Sequence, residues 1–333
     1  RLSPRRATLR NMNSRKLDLR HGPLPQLGFG SWLTLARMSP LEADSMVQRA
    51  LDAGIHLFDT ADIYDYGAAE LALARALQHS PRADILLASK VFFPMSDAPR
   101  DRGLSREHIF RSIDQSLIRL NTDYLDLYQC HRFDPETPLE ETVQAMGDLI
   151  KLGKIRHWGT STFSASQLQR AHDMARSLGV APPTTEQARY NFLCREVEAE
   201  VVPMADALKM GLLWWSPLAQ GLLTGKYQNL EALPADSRAA DPQRVGDFLD
   251  RALANQEVML AAHRFHDVAR SLGVPTASLA LAWCLHQQPG SCVLIGARTP
   301  AQLDEALQAT TISWTPDIRA AFAEWNSGQD FDL

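Results

Sequence analysis

Lysine is scarce in this chain. Of 34 basic residues only positions 16, 90, 151, 154, 209 and 226 are Lys, so arginine is the default cation. Cysteine is scarce too. Cys130, Cys194, Cys284 and Cys292 lie far apart with no C-x-x-C pair, which argues against a disulfide framework or a zinc site and suits reduced thiols in a cytoplasmic protein. No motif with metal-ligand spacing occurs, so no metal is expected. A basic excess is also lacking: a net charge of −5 over 333 residues gives no electrostatic footprint for nucleic acid. No apolar run reaches the roughly eighteen residues of a membrane span, so no membrane is expected as a partner.

What is present is ordinary globular composition, 45% hydrophobic and 22% charged, enough for one large domain or two modest ones. The Arg-rich start, RLSPRRATLRNMNSRK, has no acid before Asp18. It reads as a disordered tail over residues 1–14, or as translated sequence ahead of a start at Met12, in preference to a transit peptide. Residues 15–333 then form a single domain.

Apolar runs with the character of buried parallel strands recur at 26–32, 55–61, 84–91, 124–131, 155–161, 184–190, 212–217 and 291–297. Stripes of helical spacing lie between them. Leu139, Val143, Met146, Leu149 and Ile150 form one, ended by Gly153. Ile109, Ile113, Leu117 and Leu120 form another behind an N-cap at Ser105; Leu168, Ala171, Ala175 and Leu178 form a third between Ser164 and Gly179. Strand then helix, repeated about eight times without a linker, predicts an α/β protein of the (β/α)8 TIM barrel type. An open doubly wound sheet is the alternative. Gly28 and Gly30 in LGFGSWL suggest a dinucleotide fingerprint, but position 33 is Leu, so close backbone approach in the first strand is the better reading.

In such a barrel chemistry gathers at the C-terminal ends of the strands. Four titratable residues fall there: Asp59 ends the second strand, Tyr64 follows it, Lys90 ends the third and His131 ends the fourth. Taken singly, a strand-end Asp is often a cap, a loop Tyr often packing and a lone His often structural. Lys90 is harder to dismiss in a chain that prefers Arg, because it supplies a compact ammonium. Together the four suggest an acid site. An ammonium beside a phenol is expected to lower its pKa, Asp59 to hold Lys90 charged, Tyr64 to donate a proton to a carbonyl oxygen and His131 to bond the same oxygen. No side chain supplies hydride, so a nicotinamide cofactor is implied. Asp62, Asp65 and Tyr66 are left as loop and solvent residues.

From about Lys16 to Leu307 the chain resembles the aldo-keto reductase superfamily. The resemblance rests on FDTADIYDYGAAE, LLASKV, LIRLNTDYLDLYQCH, GKIRHWGTS, WSPLAQGLLTGKY and LIGARTPAQLDE in order. HRFDPETPLEETVQAM and WGTSTF look most like the branch of voltage-gated potassium channel β subunits and their bacterial reductase relatives. The resemblance implies a catalytic tetrad of Asp59, Tyr64, Lys90 and His131, and selects Tyr64 over Tyr66. Channel subunits of that branch carry Asn where His131 stands, so His131 is more like the metabolic reductases.

For the cofactor, taken as NADPH, the resemblance implies Ser161 and Gln187 on the carboxamide and Trp215 under the ring, with Trp32 and Asp59 beside it. The segment from Ser216, Pro217 and Leu218 through Gly221, Leu222, Gly225 and Lys226 to Ser237 and Arg238 is implied to cover the pyrophosphate. Gly296, Arg298, Gln302 and Glu305 match positions at the adenosine end, where Arg298 beside a helix starting at Pro300 suits a 2′-phosphate and favours NADPH over NADH. Thr162 and Ala306 depart from the asparagines common at their positions. Trp32, Phe92, Phe93, Arg132, Phe133 and Tyr190 are expected to line the substrate mouth with Tyr64 and His131. The implied function is reduction of aldehydes or ketones, the small-molecule carbonyl being the partner; the alternative is an NADPH-binding, redox-sensing regulatory subunit with little turnover. The branch holds monomers, tetramers and octamers, so a homo-oligomer stays open.

Overall fold

The computed structural model describes residues 24–228, 231, 233–235, 237–241 and 247–323. The expected tail, 1–14, lies outside the described residues. Among these, β1 (Leu27–Gly30), β2 (Leu57–Asp59), β3 (Leu86–Val91), β4 (Leu125–Cys130), β5 (Ile155–Ser161), β6 (Thr185–Arg189), β7 (Gly211–Trp215) and β8 (Cys292–Ile295) form a parallel sheet closed in sequence order. Leu27 of β1 pairs with Val293 of β8, which excludes the open sheet.

Helices α1 (Pro40–Asp52), α2 (Ala68–Leu77), α3 (Arg106–Arg119), α4 (Leu139–Lys151), α5 (Ala165–Leu178) and α6 (Val201–Ala207) link the first seven strands. α7 (Phe248–Ala254), α8 (Gln256–Ser271) and α9 (Thr276–Gln287) fall between β7 and β8; α10 (Pro300–Gln308) and α11 (Pro316–Ala323) follow. The long connection after β7 and the extra helices are as expected. No single helix among the described residues is long and apolar enough to cross a membrane.

The helix starts and stops follow from local chemistry. Ser105 accepts from the His108 N–H, and Ser164 from Gln167, whose side chain returns to the Ser164 N–H. Gly153 and Gly179 take φ of 73° and 66°, the left-handed exits that their positions predict.

Successive residues of a strand face opposite ways, so each strand feeds two layers. One set (Phe29, Phe58, Leu87, Tyr128, Trp158, Leu212, Val293) packs outward under the helices. The other (Leu57, Leu86, Ala88, Leu127, Leu213, Cys292, Leu294) fills the lower barrel interior. Gly28 belongs to this second layer: a Cβ there meets Leu57 Cδ2 at 2.6 Å, so close packing and not phosphate binding explains the glycine. The four cysteines are buried and form no disulfide among the described residues.

Candidate active site

Continuing the inward parity by two residues lifts each strand from that apolar layer into a polar one. Leu57 leads to Asp59, Ala88 to Lys90, Leu127 to Gln129 and then His131, Thr185 to Gln187, and Leu213 to Trp215. The register sets Lys90 beside Gln129 and Ser161 beside Gln187. Lys90 is fully buried and its Nζ donates to Asp59 Oδ2 at 2.6 Å, to the Thr60 carbonyl at 2.8 Å and to the Tyr64 hydroxyl oxygen at 3.1 Å. All three ammonium protons are therefore engaged. Because Tyr64 accepts from Lys90, its own proton is left to donate outward. The Thr60 bond also explains why β2 ends at Asp59, before the expected Ala61.

Asp59 Oδ1 accepts from Gln187 Nε2 at 2.8 Å and from Gln129 Nε2 at 3.3 Å. His131 sits edge-on to Tyr64, ring centroids 5.8 Å apart, and to Phe93 at 4.9 Å. Its Nδ1 has no hydrogen-bond partner among the described residues.

Burial sets the protonation states. It pushes the Tyr64 phenol up; Lys90 pulls it down and Asp59 pushes it up again, leaving it above its ordinary value. The expectation of a lowered phenol is thus corrected: desolvation outweighs the ammonium. Burial pushes the Lys90 ammonium down, but Asp59 and Tyr64 more than restore it. Burial, then Lys90 and Arg132, hold His131 well below the usual histidine range, so it is neutral at pH 7. The resting site is a protonated phenol, a charged lysine and a neutral imidazole, a set that can give a proton to a carbonyl oxygen and steady it.

The mouth above this cluster is aromatic. Trp32 lies 6.5 Å from Tyr64 by ring centroids, Phe92 packs on Phe93, and the Arg132 guanidinium stands 5.5 Å over Phe93. Phe133 turns to Phe163 instead. Tyr190, expected here, is fully buried between Trp214 and Trp283, with its hydroxyl donating to Glu198; this is a correction. Its parity explains it, since Gln187 faces in and Tyr190 therefore faces out.

The residues expected around a dinucleotide form an arc over β5 to β8. The Ser161 hydroxyl donates to the Gln187 carbonyl at 2.9 Å. Trp214 is core, whereas Trp215 is half-buried and its indole N–H, shut from solvent, has no partner among the described residues. Ser216, Ala219, Gln220 and Gly221 have positive φ, so the chain beyond β7 coils left-handed; the Asn191 amide holds the Ser216 carbonyl. Leu222 turns its side chain into the core and Pro217 is buried, so both present only backbone to a ligand. Leu218 and Lys226 are half-buried.

Arg238 lies 5.0 Å over the Trp32 ring, and its pKa is pushed down to about 10 by burial and then by Arg298. A guanidinium destabilised by burial and by a second cation favours an anion beside it. Gly296 and Arg298 are exposed. The Gln302 side chain accepts from the Arg298 N–H at 2.8 Å, just ahead of α10. Glu305 and Gln302 face outward on α10, while Ala306 is buried beneath them. Thr162 has φ of 59°, a region costly for a β-branched residue and easier for asparagine. The unpartnered indole, the left-handed segment and the facing arginines fit an anionic dinucleotide.

Two buried acids escaped the sequence reading. Asp62, read as a solvent residue, is fully buried; burial raises its carboxyl to about 7. Tyr66 is 74% exposed, as read, and Asp65 pairs with Arg37 at 3.7 Å. Glu186 faces outward from β6, accepts from Thr160 Oγ1 and the Phe163 N–H, and is raised by burial to about 8. In the unfolded chain both carboxyls ionise near pH 4. Over the interval from there to about pH 7 and 8 the folded protein binds the extra protons, so these groups lower stability as pH rises. Replacing either acid (Asp62→Asn or Glu186→Gln) is expected to flatten that part of the stability profile relative to wild type, as read by denaturant melts at several pH values. An unchanged difference curve counts against the assignment.

The aldo/keto reductase family profile matches residues 26–325. A probable voltage-gated potassium channel subunit beta of Arabidopsis thaliana is 39% identical over 290 residues, covering 86% of this chain and 87% of that protein. One of Oryza sativa subsp. japonica is 38% identical over 299 residues, covering 88% and 90% respectively.

Proposed function

Since the chain belongs to the aldo/keto reductase family, we propose that it is an NADPH-dependent carbonyl reductase in which Tyr64 is the proton donor. The observation that carries this reading is the Lys90 ammonium, bonded at once to Asp59, the Thr60 carbonyl and the Tyr64 oxygen, which turns the phenol's own proton outward. Carbonyl reduction needs hydride at carbon, which NADPH supplies when bound. Trp215, Ser161 and Gln187 would hold its nicotinamide, the left-handed segment from Ser216 its pyrophosphate, and Arg238 with Arg298 its 2′-phosphate.

In the reaction Tyr64 gives its proton to the carbonyl oxygen, and Lys90 stabilises the phenolate left behind. Asp59 keeps Lys90 charged and aimed; Gln129 and Gln187 fix Asp59. Neutral His131 bonds the substrate oxygen. Trp32, Phe92 and Phe93 favour apolar or aromatic aldehydes, with Arg132 available to an acidic substituent.

Fluorescence titration is expected to give much tighter binding of NADPH than NADH. Arg298→Gln should weaken NADPH by about tenfold or more through loss of a charged contact, leaving NADH unchanged. Equal loss for both cofactors would remove the 2′-phosphate assignment.

A second reading is favoured by the names of the two plant relatives: an NADPH-binding regulatory subunit of a membrane protein, with little turnover. Tight NADPH binding without consumption across a broad carbonyl panel, together with a co-purifying membrane protein, supports it over the first. Residues 15–333 act as one unit in either reading; a cytoplasmic, homo-oligomeric state is compatible with both.

A further inference from the structure

We infer that Asp62 and Ser112 are positioning residues: they clamp the loop carrying Tyr64 onto α3, and so set where the phenol stands. This rests on the reductase reading of Tyr64. The loop needs such a hold. Directly after Tyr64, the residues Asp65, Tyr66 and Gly67 take φ of 48°, 51° and 87°, three left-handed residues in succession, two of them not glycine. A turn of this kind is not stable on its own.

Both ends of it are tied to the same helix. On the near side the Asp62 carboxylate accepts from the Ile63 N–H at 2.7 Å with one oxygen, and from the Ser112 hydroxyl at 2.7 Å with the other. On the far side Glu70 accepts from Arg119 Nε at 2.6 Å and from the Ser89 hydroxyl at 2.6 Å. Gly67 lies flat on Arg119, where a Cβ would come within 2.7 Å of Cδ. Ser112 and Arg119 are seven residues apart, two turns of one helix face. Asp62, Glu70 and Ser89 are fully buried and Ser112 nearly so; with one bond on each Asp62 oxygen, the clamp is satisfied at its core.

The bonds that hold Lys90 to Tyr64 act from the inner side of the loop; the α3 clamp acts from the outer side. The phenol is fixed between them. Neither Asp62 nor Ser112 enters the mouth, so their effect on the reaction passes through Tyr64 alone.

Three variants test this. Ser112→Ala and Asp62→Ala are expected to lower kcat by at least about tenfold, because misplacing a reacting group by a fraction of an ångström is costly. NADPH affinity should stay at the wild-type value. Asp62→Asn keeps an acceptor for Ile63 and gains a donor for the Ser112 oxygen, so it should restore kcat to near wild type. In hydrogen exchange, the peptide from Leu57 to Leu71 should lose protection in the two alanine variants and keep it in Asp62→Asn; this readout needs no turnover. Alanine variants with wild-type kcat and protection overturn the clamp, as does Asp62→Asn behaving like Asp62→Ala. A wild-type protein that never turns over a carbonyl defeats the reductase reading instead, leaving the exchange result to decide the clamp.

Discussion

Tyr64→Phe is expected to lower kcat by about 10³-fold, the scale of a lost general acid, and to leave NADPH affinity within about twofold. The substitution removes one oxygen and little else. The ring keeps its places beside Trp32 and His131, and Lys90 retains Asp59 and the Thr60 carbonyl as partners. No buried charge is stranded, so folding and cofactor binding should survive. Stopped-flow comparison of NADPH oxidation in wild type and variant measures the effect. Near-normal turnover in Tyr64→Phe removes the proton-transfer scheme.

Lys90→Met should abolish turnover and also destabilise the fold by about 3–5 kcal/mol, the usual cost of breaking a buried ion pair from one side. Lys90 is fully buried, and without it the Asp59 carboxylate keeps only the amides of Gln129 and Gln187. Adding Asp59→Asn removes the stranded charge. The double variant is therefore expected to recover a large part of the stability in urea melts and none of the activity. Additive losses in the two single variants would show that the pair is not coupled in the way its 2.6 Å contact indicates.

The barrel was legible because its signal is local. Eight apolar runs alternate with helical stripes, and Ser105, Ser164, Gly153 and Gly179 mark helix ends by chemistry that needs no tertiary context. Asp59, Lys90 and His131 were legible as strand-end positions that the period of two turns inward, and Tyr64 as a residue of the loop after β2 that Lys90 reaches. Gln129 carried the same signal, two residues before His131 in β4, and was missed because a lone Gln reads as ordinary polarity. Tyr190 was misassigned although its parity opposes that of Gln187.

Asp62 was not readable at all. Its burial depends on Ser112, fifty residues away on a helix packed behind the loop, and no local pattern reports a contact of that range. The direction of the Tyr64 shift was likewise hidden. It is decided by how much water the barrel mouth excludes, against an ammonium whose position alone the sequence suggested.

The proposed reaction is hydride transfer to a carbonyl carbon while Tyr64 protonates the oxygen. It is tested most directly by a single turnover with NADPH deuterated at the transferable C4 position and an aromatic aldehyde such as nitrobenzaldehyde. One deuterium on the carbinol carbon of the alcohol, formed about 10³-fold more slowly by Tyr64→Phe than by wild type, is the result expected. Tight NADPH binding with no labelled alcohol from wild type would contradict it.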